Sequence, residues 1–129
     1  FGVGFDENLV EYGAYSMAGG AQAALRLLSR NRSLTALFTM SDEMAIGAIR
    51  TAQDLGMQLP HDLSVTGFDN IEFGKYCMPP LTTVMQPAER IGEVAMTLMG
   101  NLLRGEITGD ALQTLGTELV IRASVQRLT

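Results

Sequence analysis

Three observations predict an α/β fold for this 129-residue chain, with a mostly parallel sheet flanked by helices. Thr35 to Asp69 reads as strand, helix, strand; a helical stripe from Ser16 precedes it; and a β-prone run with another helical stripe follows from Leu81 to Leu103. Short apolar runs alternating with 3.6-period stripes are the pattern of a sheet covered by helices. A strand-helix-strand unit returns the chain parallel to its start through a right-handed crossover.

The elements follow in order. Residues 1–8 alternate glycine with apolar side chains and read as a loop into a short strand at Leu9 to Tyr12. From Ser16 the apolar positions Ala21, Ala24, Leu25 and Leu28 share one helical face, with Arg26 and Arg30 near the carboxyl end, where cations suit the helix dipole. Gly19 and Gly20 weaken its first turn, each by about 1 kcal/mol relative to alanine, and leave open either plain tolerance or a close backbone approach. Thr35 to Thr39 is the next strand. Ala45, Ala48, Ile49 and Ala52 mark the following helix, capped by Ser41 or Asp42 and stopped at Gly56 before Pro60. Leu63 to Asp69 is a strand, Asn70 to Met78 is irregular, and Pro79-Pro80 excludes helix. Leu81 to Met85 is a strand, and Pro87 opens a helix over Ala88 to Leu103 with the stripe Ile91, Val94, Ala95, Leu98 and Leu102. Thr108 to Gly116 is loop, and Thr117 to Ala123 alternates as a last strand.

A 47% hydrophobic composition supplies a core for one modest domain. A net charge of -5, with scattered Lys and Arg, predicts that this stretch does not bind nucleic acid by itself. Cys77 is the single cysteine, which excludes an internal disulfide and is compatible with a reducing cytosol. No apolar stretch reaches transmembrane length, so no membrane is expected as partner. The opening residue, Phe1, suggests a piece of something longer.

Enzyme signatures are missing. The single histidine, His61, lies in a Pro-His-Asp turn and reads as a solvated loop residue. Gly2-Val3-Gly4 fails the dinucleotide fingerprint, no phosphate loop ends in Gly-Lys-Ser, and no Gly-x-Ser-x-Gly elbow occurs. Ligands for a metal are too few, so no metal and no cofactor are expected. What remains is a set of side chains where successive strands stop: Tyr15, Ser41, Asp69 and Gln86. In open parallel sheets ligands bind beyond the carboxyl ends of the strands. A carboxylate accepts paired hydrogen bonds from hydroxyls, an aromatic ring covers an apolar sugar or base face, and Ser and Gln donate and accept. That set suits a neutral polyhydroxylated ligand. Each residue also has a plainer role: Ser41 or Asp42 as helix cap, Asp69 as the start of a turn with Asn70, Tyr15 as half-buried packing.

Ser41-Asp-Glu-Met-Ala-Ile-Gly-Ala48, Leu63-Ser-Val-Thr-Gly-Phe-Asp-Asn70, Pro79-Pro-Leu-Thr-Thr-Val-Met-Gln-Pro87 and Thr117-Glu-Leu-Val-Ile-Arg-Ala-Ser124 resemble the lactose and galactose repressor family of bacterial transcription regulators. Gly13-Ala-Tyr-Ser16 resembles the family's aromatic position opposite the ligand, although Ala14 stands where an acidic residue is frequent. The resemblance covers nearly the whole chain. It implies part of a two-lobed effector-binding core related to periplasmic sugar-binding proteins, in an incomplete lobe of that type I fold. By position, Asp69 would bind ligand hydroxyls, Tyr15 would stack on the ligand, and Ser41 and Gln86 would hydrogen-bond to it. A homodimer is implied through Met44, Ala48, Lys75, Tyr76 and Cys77, the last two being open also to ordinary loop packing. Operator DNA would be reached only through an N-terminal helix-turn-helix outside this chain, in the cytoplasm. Residues 1–86 would then be the C-terminal lobe without its first strand and helix, 87–107 a crossover helix packing on the other lobe, and 108–129 a return strand and tail. With half the pocket outside the chain, weak or no effector binding is expected of it alone, and the helix after Gln86 is expected to dock on another copy or on a repositioned part of the same chain. The competing reading is a fragment of a periplasmic sugar-binding receptor of a transporter.

Overall fold

The computed structural model describes residues 4–107, 109 and 112–127. Ser16 opens α1 (Met17–Arg30) by accepting a hydrogen bond from the Gly19 amide, and Ser41 opens α2 (Asp42–Asp54) by accepting one from Met44. Each serine satisfies an amide that helix geometry leaves without a partner. Gly56, at φ 83°, closes α2 in the left-handed region that glycine adopts without steric penalty. Pro87 opens α3 (Ala88–Leu103), as its fixed φ suits a helix start.

Strands β1 (Ala36–Phe38), β2 (Ser64–Phe68), β3 (Thr82–Met85) and β4 (Glu118–Val120) form one sheet in the order β1-β2-β3-β4. The first two pairings are parallel, with Leu37 beside Val65 and Gly67 beside Thr83; β4 returns antiparallel to β3, with Leu119 beside Val84. Leu28 of α1, Ala45, Ile49 and Ala52 of α2, and Leu63, Val65 and Leu81 from the sheet form the core. The two helices meet through glycines. A Cβ on Gly20 would collide with the Met44 backbone, and one on Gly47 with the Met17 carbonyl. Gly20 therefore serves a close backbone approach, which resolves the alternatives left open above.

Two expectations fail, and one of the two alternatives for a third falls away. Leu9 to Tyr12 forms no strand: a 3-10 turn spans Glu7–Leu9, and the chain then runs along α1 instead of joining the sheet. Side chains hold it there, with Glu11 paired to Arg26 and Arg30 at 2.7 Å each and the Tyr12 carbonyl accepting from Arg26. The helix α3 has the expected bounds, yet none of its residues is buried: Ile91 is 43% and Leu102 41% exposed, so no repositioned part of the described chain covers the stripe. Asp42, read as a cap, turns inward and is fully buried. The expected irregular stretch Asn70 to Met78 contains a 3-10 turn at Glu72–Lys75. Parts of the expected opening loop (1–3), of the loop 108–116 (108, 110 and 111) and of the tail (128 and 129) lie outside the described residues.

Candidate functional site

Ser41, Asp69 and Gln86 follow β1, β2 and β3, which are successive neighbours in the sheet, so they share one rim. The ladder runs to its end on both sides of β2, with Thr39 N–H donating to Thr66 and Asp69 N–H donating to Val84. Gln86 and Asp69 meet directly: the Gln86 amide nitrogen donates to Asp69 Oδ1 at 2.7 Å. Together with Asn70, Met85, Arg90 and Glu93 they line an open cavity of about 510 Å³. Among the described residues, Asp69 Oδ2 and Gln86 Oε1 make no further hydrogen bond.

Tyr15 stands immediately before the α1 cap and is 66% exposed. Gly13, two residues before it, lies against the Met44 side chain in the first turn of α2, and Gly20 of α1 lies against the Met44 backbone; among the described residues no strand precedes Tyr15, so it does not stand at a strand end as expected. Ser41 contributes differently from the expectation of a free hydrogen-bonding group. Its side chain is taken up as the α2 cap and the residue is 6% exposed.

Backbone strain coincides with two of these residues. Tyr15 has φ 46°, Asp69 φ 109° and Asn70 φ 57°, the three non-glycine residues with positive φ among those described. Each costs on the order of 1–3 kcal/mol and persists only where its surroundings hold it. For the Asp69 loop the holders are groups that sequence reasoning missed. Ile71 N–H donates to Asp42 Oδ2 at 2.8 Å, Thr83 donates its hydroxyl hydrogen to Asp42 Oδ1 at 2.5 Å, and Arg122 donates to Asn70 Oδ1 at 2.6 Å. Burial raises the Asp42 carboxyl above its ordinary value, against the lowering by the Thr83 and Ile71 hydrogen bonds. The one signal in the sequence was Thr82-Thr83 inside an otherwise apolar run, since two adjacent polar residues in a strand put one of them on each face.

The residues expected at a subunit interface divide. Met44 and Ala48, 8% and 2% exposed, are buried within this chain, Met44 lying against Gly13 and Gly20. The period that marks an interface helix also marks a core helix, and here the core takes both residues. Cys77 packs on the core and its thiol donates toward the Gly74 and Pro79 carbonyls, while burial pushes the thiol pKa up. Lys75 and Tyr76 are exposed, beside the exposed Phe73 and Met78.

Comparison with known proteins follows the same outline. The sequence profile of the periplasmic binding protein-like domain matches residues 3–125. The transcriptional repressor CytR of Escherichia coli (strain K12) is 38% identical over 127 residues, covering 98% of this chain and 37% of CytR. Catabolite control protein A of Priestia megaterium is 37% identical over 94% of this chain and 36% of its own length. This chain thus spans little more than a third of these relatives. Among solved structures, a complex of the transcriptional regulator CelR with cellobiose superposes with a TM-score of 0.92 at 34% identity, over 95% of this chain and 38% of that one. From its profile match, its relatives and its α/β architecture, the chain belongs to the periplasmic binding protein-like domain family, in the form carried by LacI-family transcriptional regulators.

Proposed function

We propose that this chain is the ligand-sensing and dimerisation portion of a sugar- or nucleoside-responsive transcription regulator. The observation that carries the reading is the pairing of Asp69 with Gln86 at the rim, on a backbone strained at Asp69, above an open cavity. Asp69 accepts ligand hydroxyls, Gln86 hydrogen-bonds beside it, Tyr15 covers a ring face, and Ser41 acts through the α2 cap. Dimerisation uses Lys75 and Tyr76 with Phe73 and Met78, whose exposed aromatic and thioether surface is of the kind that interfaces bury. The names of the relatives, an HTH-type transcriptional repressor and a catabolite control protein, support operator DNA as a partner reached through a segment outside this chain, a cytoplasmic location and no enzymatic turnover. They favour a regulator over a transport receptor.

The domain reading follows from the same proposal. A further strand of this lobe lies beside β1, whose Phe38 is 68% exposed. The apolar stripe of α3 packs on a second lobe, and 108–129 returns to this one. Ligand binding between the lobes then shifts a closed and an open state, and with them operator affinity, by the difference in ligand affinity for the two.

The test is operator binding by the full-length protein, followed by fluorescence anisotropy with and without effector. Asp69→Ala is expected to keep operator affinity and lose the effector response. An unchanged response contradicts the assignment.

A further inference from the structure

We infer that Asp42 and Arg122 are positioning residues for Asp69, clamping the loop after β2 from its two sides; the inference rests on the sensing role proposed for Asp69. Consecutive non-glycine residues in the left-handed region relax unless they are tied down. Apart from the ladder bond to Val84 and the Gln86 contact, the ties grip the two residues that follow Asp69. From the α2 side, Asp42 accepts from the Ile71 amide at 2.8 Å and from the Thr83 hydroxyl, and that hydroxyl accepts from the Asn70 amide at 3.3 Å. From the β4 side, one end of the Arg122 guanidinium donates to the Leu81 carbonyl at 2.7 Å and the other to Asn70 Oδ1 at 2.6 Å. The Arg122 amide is fixed in turn by Thr82 Oγ1 at 2.9 Å.

The protein makes room for this arrangement. A Cβ on Gly67 would occupy the place of Asp42 Oδ1, so glycine in the middle of β2 lets the carboxylate reach across the sheet. A fully buried carboxylate is expensive unless hydrogen-bonded, and both of its oxygens are. The helix cap is already supplied by Ser41, so capping does not explain Asp42. Arg122 is equally specific, because a planar guanidinium bridges two acceptors that a single ammonium cannot.

The test uses the full-length protein and its Asp42→Asn and Arg122→Lys variants, with amide hydrogen exchange read at Ile71 and Val65, and titration with D-ribose, cellobiose, lactose, cytidine and adenosine. Asparagine keeps the shape but cannot accept from both Thr83 and Ile71. Ile71 exchange is expected to accelerate about 10-fold or more, the scale of one charge-assisted hydrogen bond, with Val65, which donates to Ser124, unchanged. Affinity for any compound the wild type binds is expected to fall about 10-fold or more in both variants. Should Asp42→Asn fail to fold, Arg122→Lys decides, read at the Asn70 amide in the same way. Unchanged loop exchange, equal acceleration at Ile71 and Val65, or a loosened loop with unchanged affinity each overturns the inference. A wild type that binds none of the five compounds speaks against the sensing role, and the exchange measurement still decides whether the clamp exists.

Discussion

Asp69 combines a chemical type that can be read from the sequence with a conformation that cannot. A carboxylate at the end of the run Leu63 to Asp69 is visible as soon as the strand is, and so is its place at a rim. Its φ of 109° is not, because side-chain identity marks positive φ reliably only when the residue is glycine. The same limit hid Asp42. An acidic residue beside a helix start reads as a cap, and only the collapse of α2 onto β2 and β3 shows that its carboxylate points to Ile71 and Thr83. Asp42 also makes a prediction about pH. Burial, aided by the nearby Asp69 charge and opposed by Thr83, Ile71 and Arg122, raises its pKa above the ordinary 3.8. The folded protein therefore holds this proton more tightly than the unfolded chain, and that stabilisation is complete below 3.8 and lost as pH rises through the raised pKa. Glu11, whose carboxyl the Arg26 hydrogen bond holds low, and Asp62, held low by the Gln58 amide, lose stabilisation on acidification in wild type and variant alike. The melting-temperature difference between wild type and Asp42→Asn is expected to move in favour of the wild type from pH 7 to pH ~4. A difference independent of pH in that window contradicts a raised carboxyl.

At the scale of elements, periodicity identified the helices and short apolar runs identified the sheet strands, because each of these elements buries a face or a ladder that its sequence must supply. The helix α3 was legible to the residue at both ends despite having no buried residue, since Pro87 and the stripe after it define it locally. The segment Leu9 to Tyr12 was misread for the converse reason: its neighbours in space, α1 and the arginines on it, are invisible in its own composition. The contact between α1 and α2 gives the sharpest prediction here. Gly47 sits where a Cβ would strike the Met17 carbonyl, a backbone atom that cannot swing aside. Gly47→Ala is expected to destabilise the protein by about 1–3 kcal/mol, the usual effect of overpacking, despite alanine's better helix propensity. Denaturant melts showing equal or higher stability for the variant would falsify this packing account.

For the whole molecule, the ordering of motifs along the chain carried the family, while the geometry brought their residues together. Ser41, Asp69 and Gln86 stand far apart in sequence and at the ends of adjacent strands in space, because parallel crossovers bring every carboxyl end to the same side. Met44 and Ala48, implied by the resemblance at a subunit interface, are buried in the single chain, because the period that marks an interface helix marks a core helix as well. Among the described residues the stripe of α3 stays half-exposed and β1 forms an edge of the sheet, the two surfaces on which the proposed domain reading rests. The central claim, that the rim grips an uncharged, hydroxyl-rich molecule through Asp69, is tested most directly by calorimetric titration of the full-length protein and its Asp69→Ala variant with the same sugars and nucleosides. The account predicts that the wild type binds at least one of them and that the variant binds it about 10- to 150-fold more weakly, the scale of hydrogen bonds to a charged acceptor. Equal affinity in the two proteins, or no heat of binding from any compound, would contradict it.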